Sequence, residues 1–267
     1  VADMTKYIAV VGTKHSGKTT VIQQLIPALK RKGYKVATVK EMKSIDTIDV
    51  PEASKDTLKY SKAGAEIVVA SPREETALFL KKKLSLNEIV PFLSEVDYVA
   101  LEGFENEKVF PKIIVAKTVE EAAPFSDGLA IAISGLVAET VKETQNASHL
   151  QIPLINIKTH ADELADLVEE KAFTILPNLP GCTTCHPLGE CGYPSCYEHA
   201  KAIVSGASKL RMCPLQEKEN LIIEVNGVKL PLKDFPQKLV QNALIGMVSS
   251  LHGGEKIKTF KIELKEK

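Results

Sequence analysis

An eight-residue segment, Gly12-Thr13-Lys14-His15-Ser16-Gly17-Lys18-Thr19, does most to limit what this chain can fold into. It has the pattern G-x-x-x-x-G-K-[ST], whose chemistry needs a buried strand before it and a helix after it. Both are present in the sequence. Residues 6–11 form an apolar run that ends at Gly12, as a buried parallel strand does. From Lys18 to about Lys32, Val21, Leu25, Ile26 and Leu29 recur at helical spacing, and Gly33 stands where a helix end favours positive φ. Residues 34–40 read as a second strand. Glycines in such a loop let successive backbone N–H groups point at phosphate oxygens, and the helix start adds its dipole. Lys18 then bridges the β- and γ-phosphates, Thr19 Oγ ligates magnesium, and residues Gly12–Thr20 form the nucleotide-binding set.

Glu102 is the expected acidic partner. It ends the apolar run 96–101 and precedes Gly103, which puts a carboxylate at the carboxyl edge of the sheet, able to hold a magnesium-bound water. Lys18, Thr19 and Glu102 are therefore the candidate catalytic residues. No Asn-Lys-x-Asp segment is present, so the motifs alone leave GTP and ATP open.

The remaining pattern alternates strands and helices to about residue 175. Strands are expected near 65–70, 77–80, 96–102, 111–116 and 129–134, helices over 86–93 and 162–170, and an apolar segment over 152–157. Residues 41–56 read as a polar, acidic loop. This alternation predicts an α/β domain over 1–175 with a largely parallel sheet, of the P-loop NTPase class. A cysteine-rich metal domain follows over 176–218. The last unit, 219–267, reads as ββαβ: a hairpin turning at Asn226-Gly227, a helix with an apolar stripe of Val240, Leu244, Met247 and Leu251, and a closing strand.

All five cysteines lie in the middle segment, spaced Cys182-x2-Cys185-x5-Cys191-x4-Cys196-x16-Cys213. An odd number so crowded points to metal ligation rather than a disulfide framework, and thiolates select an iron–sulfur cluster or zinc. Zinc sites favour two short C-x2-C pairs, and only the first pair here conforms. His186 or His199 would complete a zinc set, or each is a plain surface histidine. Equal counts of 34 basic and 34 acidic residues give no global field for nucleic acid. Lys81-Lys82-Lys83 reads as a solvated face. No apolar stretch reaches bilayer length and no signal-peptide pattern opens the chain, so a cytoplasmic protein is expected.

Several ordered motifs resemble molybdopterin-guanine dinucleotide biosynthesis protein B. They are residues 11–20, Thr38-Val-Lys40, Asp49, Lys55-Asp-Thr57, Ala63-Gly-Ala65, Ala70-Ser-Pro72, Leu101-Glu-Gly-Phe104 and Pro111-Lys-Ile113. The resemblance implies GTP with Mg2+, slow hydrolysis, homodimerisation, and an accessory role in molybdenum or tungsten cofactor maturation. The expected partner is the guanylyltransferase that attaches GMP to molybdopterin, or else a molybdopterin-dependent enzyme. The chain departs from it at Glu41, where a histidine commonly follows Thr-Val-Lys. The stretch from Cys191 through Cys196 to Cys213 resembles a four-iron (4Fe-4S) cluster domain. Its usual first cysteine falls at Leu188, so Cys185 or Cys182 takes that place and one cysteine is spare. Two other functions fit part of the pattern. A nucleotide-coupled electron donor or cluster carrier, like the iron protein of nitrogenase, would carry lysine where Thr13 stands. A non-enzymatic docking module would use GTP structurally.

Overall fold

The computed structural model describes residues 5–42, 55–71, 76–139, 151–176 and 191–210, the strand residues 223–225 and 228–230, and parts of 239–248. The chain divides into two compact units, Val1–Ile175 and Leu176–Lys267.

The first unit is built on five strands, all parallel: β1 (Lys6–Val11), β2 (Val36–Lys40), β5 (Tyr98–Glu102), β6 (Lys112–Val115) and β7 (Ala130–Ser134), in the order β2-β5-β1-β6-β7. β1 is central, and Ile8, Ala9 and Val10 have no exposed surface. A strand buried on both faces must be apolar without alternation, which explains the unbroken run before Gly12. Helix α1 (Lys18–Arg31) buries Val21, Leu25 and Leu29 against this sheet. Gly33, at φ 92°, and Tyr34 donate to Lys30 O and Leu29 O and close the helix.

The apolar segment 152–157 supplies a single bridge, Leu154 to Ile133. Its extension is satisfied otherwise, since Ile155 O accepts from Ser134 Oγ at 2.7 Å. The helix over 86–93 divides into α3 (Leu86–Ile89) and a 3-10 turn at Val90–Leu93, because Pro91 cannot donate an interior helical bond. Lys55 and Asp56 belong to a helix, α2 (Lys55–Lys62), rather than to the end of the acidic loop; residues 43–54 lie outside the described residues. Beyond α2, β3 (Ile67–Ala70) and β4 (Ala77–Leu80) pair as an antiparallel hairpin apart from the main sheet. α4 (Val119–Ala122) follows β6, and α5 (Ala161–Lys171) closes the unit.

In the second unit, α6 (Cys196–Val204) is capped by Ser195, whose Oγ accepts from Glu198 N–H at 3.2 Å. β8 (Ile223–Val225) and β9 (Val228–Leu230) pair antiparallel. The expected turn residues Asn226 and Gly227 and the closing strand near 260–264 lie outside the described residues. Met247 is 67% exposed while Val240 and Leu244 are half-buried, and Leu251 of the expected stripe lies outside the described residues. No described helix is long and apolar enough to cross a membrane.

Candidate functional site

The loop between β1 and α1 brings the expected residues together at the carboxyl edge of the sheet. Gly12 has φ 148° and Gly17 φ 102°. Gly17 is the N-cap of α1, no side chain caps it, and the first turn holds no acidic residue. The first N–H groups of α1 are thus left to an anion. Ser16 is buried, 4% exposed, and its Oγ has no hydrogen-bond partner among the described residues. A buried hydroxyl without a partner is costly unless a ligand supplies one. Lys18 Nζ donates to Gly12 O at 2.9 Å and Thr13 O at 2.6 Å, folded back over its own loop. Lys14, His15 and Thr20 are exposed.

Thr19 Oγ1 donates to both oxygens of Glu102, at 3.1 and 3.2 Å. Eighty-three residues separate them; the parallel register of β1 on β5, with Val10 opposite Glu102, joins them. A hydroxyl and a carboxylate converging at the end of a phosphate loop form a donor set suited to magnesium, a hard cation that prefers oxygen.

Sequence reasoning missed two neighbours of Glu102. Lys40, at the end of β2, places Nζ 3.2 Å from Glu102 Oε1. Glu41 accepts from Phe104 N–H at 2.9 Å, and a Cβ at Gly103 would stand 3.1 Å from Glu41 Cβ. The motif Thr38-Val-Lys40 held the first signal, and the departure at Glu41 marked the second; only the pairing of β2 with β5 reveals their role. On the other side, Glu121 accepts from Thr13 Oγ1 at 3.3 Å and from Lys117 N–H at 3.1 Å, tying the phosphate loop to the turn after β6.

A second polar cluster lies in a cavity of ≈ 210 Å³ lined by Val11, Lys108, Lys112, Phe125 and Asp127 among others. Lys112 is 1% exposed and donates to Glu105 O at 2.8 Å and Asp127 Oδ2 at 3.0 Å; Lys108 bonds the same carboxylate.

Of the cysteines, Cys191 and Cys196 are described. Both are half-buried and neither is in a disulfide. Cys182, Cys185, Cys213 and His186 lie outside the described residues. Cys196 opens α6, and a half-buried thiol at a helix start fits an anionic thiolate-bound centre. His199 is buried at 1% exposure, not on the surface. Its ring stacks on Tyr193 at 4.8 Å, its Nε2 lies 3.1 Å from Ser208 Oγ, and burial draws its pKa down. It belongs to the packing of α6.

Comparisons with known proteins match both parts. Residues 7–136 match the family described as molybdopterin guanine dinucleotide synthesis protein B. Residues 189–215, which include Cys191, Cys196 and Cys213, match the family described as "Putative Fe-S cluster". A protein of Methanocaldococcus jannaschii, named "Putative molybdopterin-guanine dinucleotide biosynthesis adapter protein", is 28% identical over 264 residues, 97% of each chain. The molybdopterin-guanine dinucleotide biosynthesis adapter protein of Escherichia coli is 28% identical over 112 residues, 40% of this chain and 63% of that one. The crystal structure of Bacillus subtilis MobB is 22% identical with a TM-score of 0.49, covering 61% of this chain and 97% of that one.

Proposed function

We propose that this chain, whose residues 7–136 are a domain of the molybdopterin guanine dinucleotide synthesis protein B family, is a GTP-binding adapter in molybdenum cofactor biosynthesis. The observation that carries the nucleotide part is the contact of Thr19 Oγ1 with Glu102, at the uncapped start of α1 and beside the unpartnered Ser16 hydroxyl. The pathway rests on the family domain and on a relative similar along nearly the whole chain. In this reading the phosphate loop holds GTP, Lys18 turns from its own carbonyls to the phosphates, and Thr19 with Glu102 holds Mg2+. The bound metal would neutralise phosphate charge. Hydrolysis would be slow, because Glu102 serves to hold the metal rather than as an activating base. The partner is a guanylyltransferase acting on molybdopterin, which the adapter assists.

Titration calorimetry tests the loop. GTP binding in the presence of magnesium is expected, with a loss on the order of a hundredfold in Lys18→Ala, since a charged donor to phosphate is removed. Unchanged affinity in a folded Lys18→Ala chain would sink the assignment.

The second unit is proposed to hold a 4Fe-4S cluster on four of the five cysteines. Cys191 and Cys196 fit by donor type and position, and when bound such a cluster supplies one-electron redox chemistry. Anaerobic purification is expected to give a brown protein with equal iron and acid-labile sulfide. A colourless protein with one zinc overturns this.

A further inference from the structure

Two loops at the carboxyl edge carry a pair of opposite charges that triphosphate binding does not use. Thr19 and Glu102 meet on the β5 side of β1, so a metal held by them would put the β- and γ-phosphates on that side. β6 and β7 lie on the other side of β1. The nucleoside end of the ligand therefore extends over the turns that follow β6 and β7. Those turns are packed against the phosphate loop. A Cβ at Gly17 would stand 3.9 Å from Val115 Cγ1, and one at Gly135 would stand 3.0 Å from the same methyl. Val137 N–H donates to Ala116 O at 3.2 Å, and Ser134 Oγ donates to Ile155 O at 2.7 Å. The turns starting at Ala116, Gly135 and Asn156 thus form one continuous rim.

On that rim Leu136 is 50% exposed. Glu139 follows the 3-10 turn Leu136–Ala138. Lys158 Nζ reaches both Glu139 oxygens, at 3.0 and 3.1 Å, and so spans the two loops. The Glu139 side chain is 26% exposed and that of Lys158 57%.

We propose that this pair reads guanine. The Glu139 carboxylate accepts from the N1–H and 2-amino groups, the Lys158 ammonium donates to O6, and Leu136 lies against the ring face. The inference rests on the GTP reading of the phosphate loop and deepens it by naming the residues that select the base. Guanine presents two donors and then an acceptor along this edge, which matches carboxylate followed by ammonium. Adenine would turn an N1 lone pair toward the carboxylate and an amino group toward the ammonium. Both contacts then repel, and discrimination built on paired polar groups is strong because the wrong base leaves them unmatched. Without nucleotide the two side chains satisfy each other. The exposed ammonium has donors left for O6 once the base arrives.

The test is competition binding of GTP, ATP and XTP with magnesium to the full chain, as wild type, Glu139→Gln and Lys158→Met. The wild type is expected to prefer GTP over ATP. Glu139→Gln is expected to weaken GTP about tenfold or more, without a parallel loss for ATP. It should strengthen XTP, whose 2-carbonyl accepts from the introduced amide. Lys158→Met, at an exposed position, decides the matter if Glu139→Gln misfolds: reduced preference for GTP supports the pair, and full preference overturns it. A folded Glu139→Gln chain with unaltered GTP preference and no gain for XTP overturns the base assignment while triphosphate binding stands. Equal wild-type affinity for GTP and ATP does the same. A wild-type chain that binds no triphosphate overturns the reading of the loop itself.

Discussion

Gly12→Ala is expected to abolish triphosphate binding and to lower the thermal midpoint by about 10 °C. A Cβ at Gly12 would stand 2.0 Å from Val115 O, and Ser16 Oγ would lie 3.0 Å away on another side. The oxygen cannot retreat, because β6 is bonded to β1 on one edge and β7 on the other. The residue also adopts φ 148°, which side chains with a Cβ avoid. Overpacking and backbone strain together cost about 3–5 kcal/mol. Gly33 is the control: it has φ 92°, but a Cβ there meets nothing within 4 Å among the described residues, so Gly33→Ala should cost only about 1–2 kcal/mol. Scanning calorimetry compares the two, and equal shifts would refute the steric explanation.

Asp127→Asn is expected to destabilise the first unit by about 3–5 kcal/mol, because it strips a buried ammonium of its counter-charge. Lys112 is 1% exposed, and its ammonium is pulled down in pKa by burial while Asp127 resists that pull. For Asp127 burial acts to raise the carboxyl pKa, but the bonds from Lys108 and Lys112 prevail and hold it below the ordinary value. A carboxyl depressed in the folded state contributes its full stability above the unfolded pKa and loses it as the pH falls through the folded value. The wild type should therefore lose stability below about pH 4, and the variant should lose less over the same window. Urea unfolding of both chains across that range checks the sign. Parallel pH profiles would remove Asp127 as the titrating group.

What the sequence made legible was local. The phosphate loop, α1 and the position of Glu102 at a strand end depend on residues a few positions apart, so pattern and spacing carry them. The strand order was not legible, and with it went the partners of Glu102. Lys40 and Glu41 are about sixty residues away, and only the β2–β5 register makes them neighbours. The same holds for Lys112 with Asp127 and for Glu139 with Lys158, whose charges look like solvated surface until the turns are packed. α2 escaped notice because its sequence, Lys-Asp-Thr-Leu-Lys-Tyr-Ser-Lys, lacks an apolar stripe wide enough to mark a buried face. His199 misled in the opposite direction: a polar side chain in a cysteine-rich stretch invites a surface or metal reading, whereas stacking on Tyr193 covers it.

The contact between Lys40 and Glu102 has a consequence for how magnesium would enter. A carboxylate awaiting a dication is ordinarily an exposed, unneutralised charge. Here an ammonium stands 3.2 Å from it, on a side chain 60% exposed and free to swing outward. Metal entry would then be an exchange of one cation for another. In the proposed reading the displaced lysine would turn outward to solvent, so loading would change the charge presented at the end of β2.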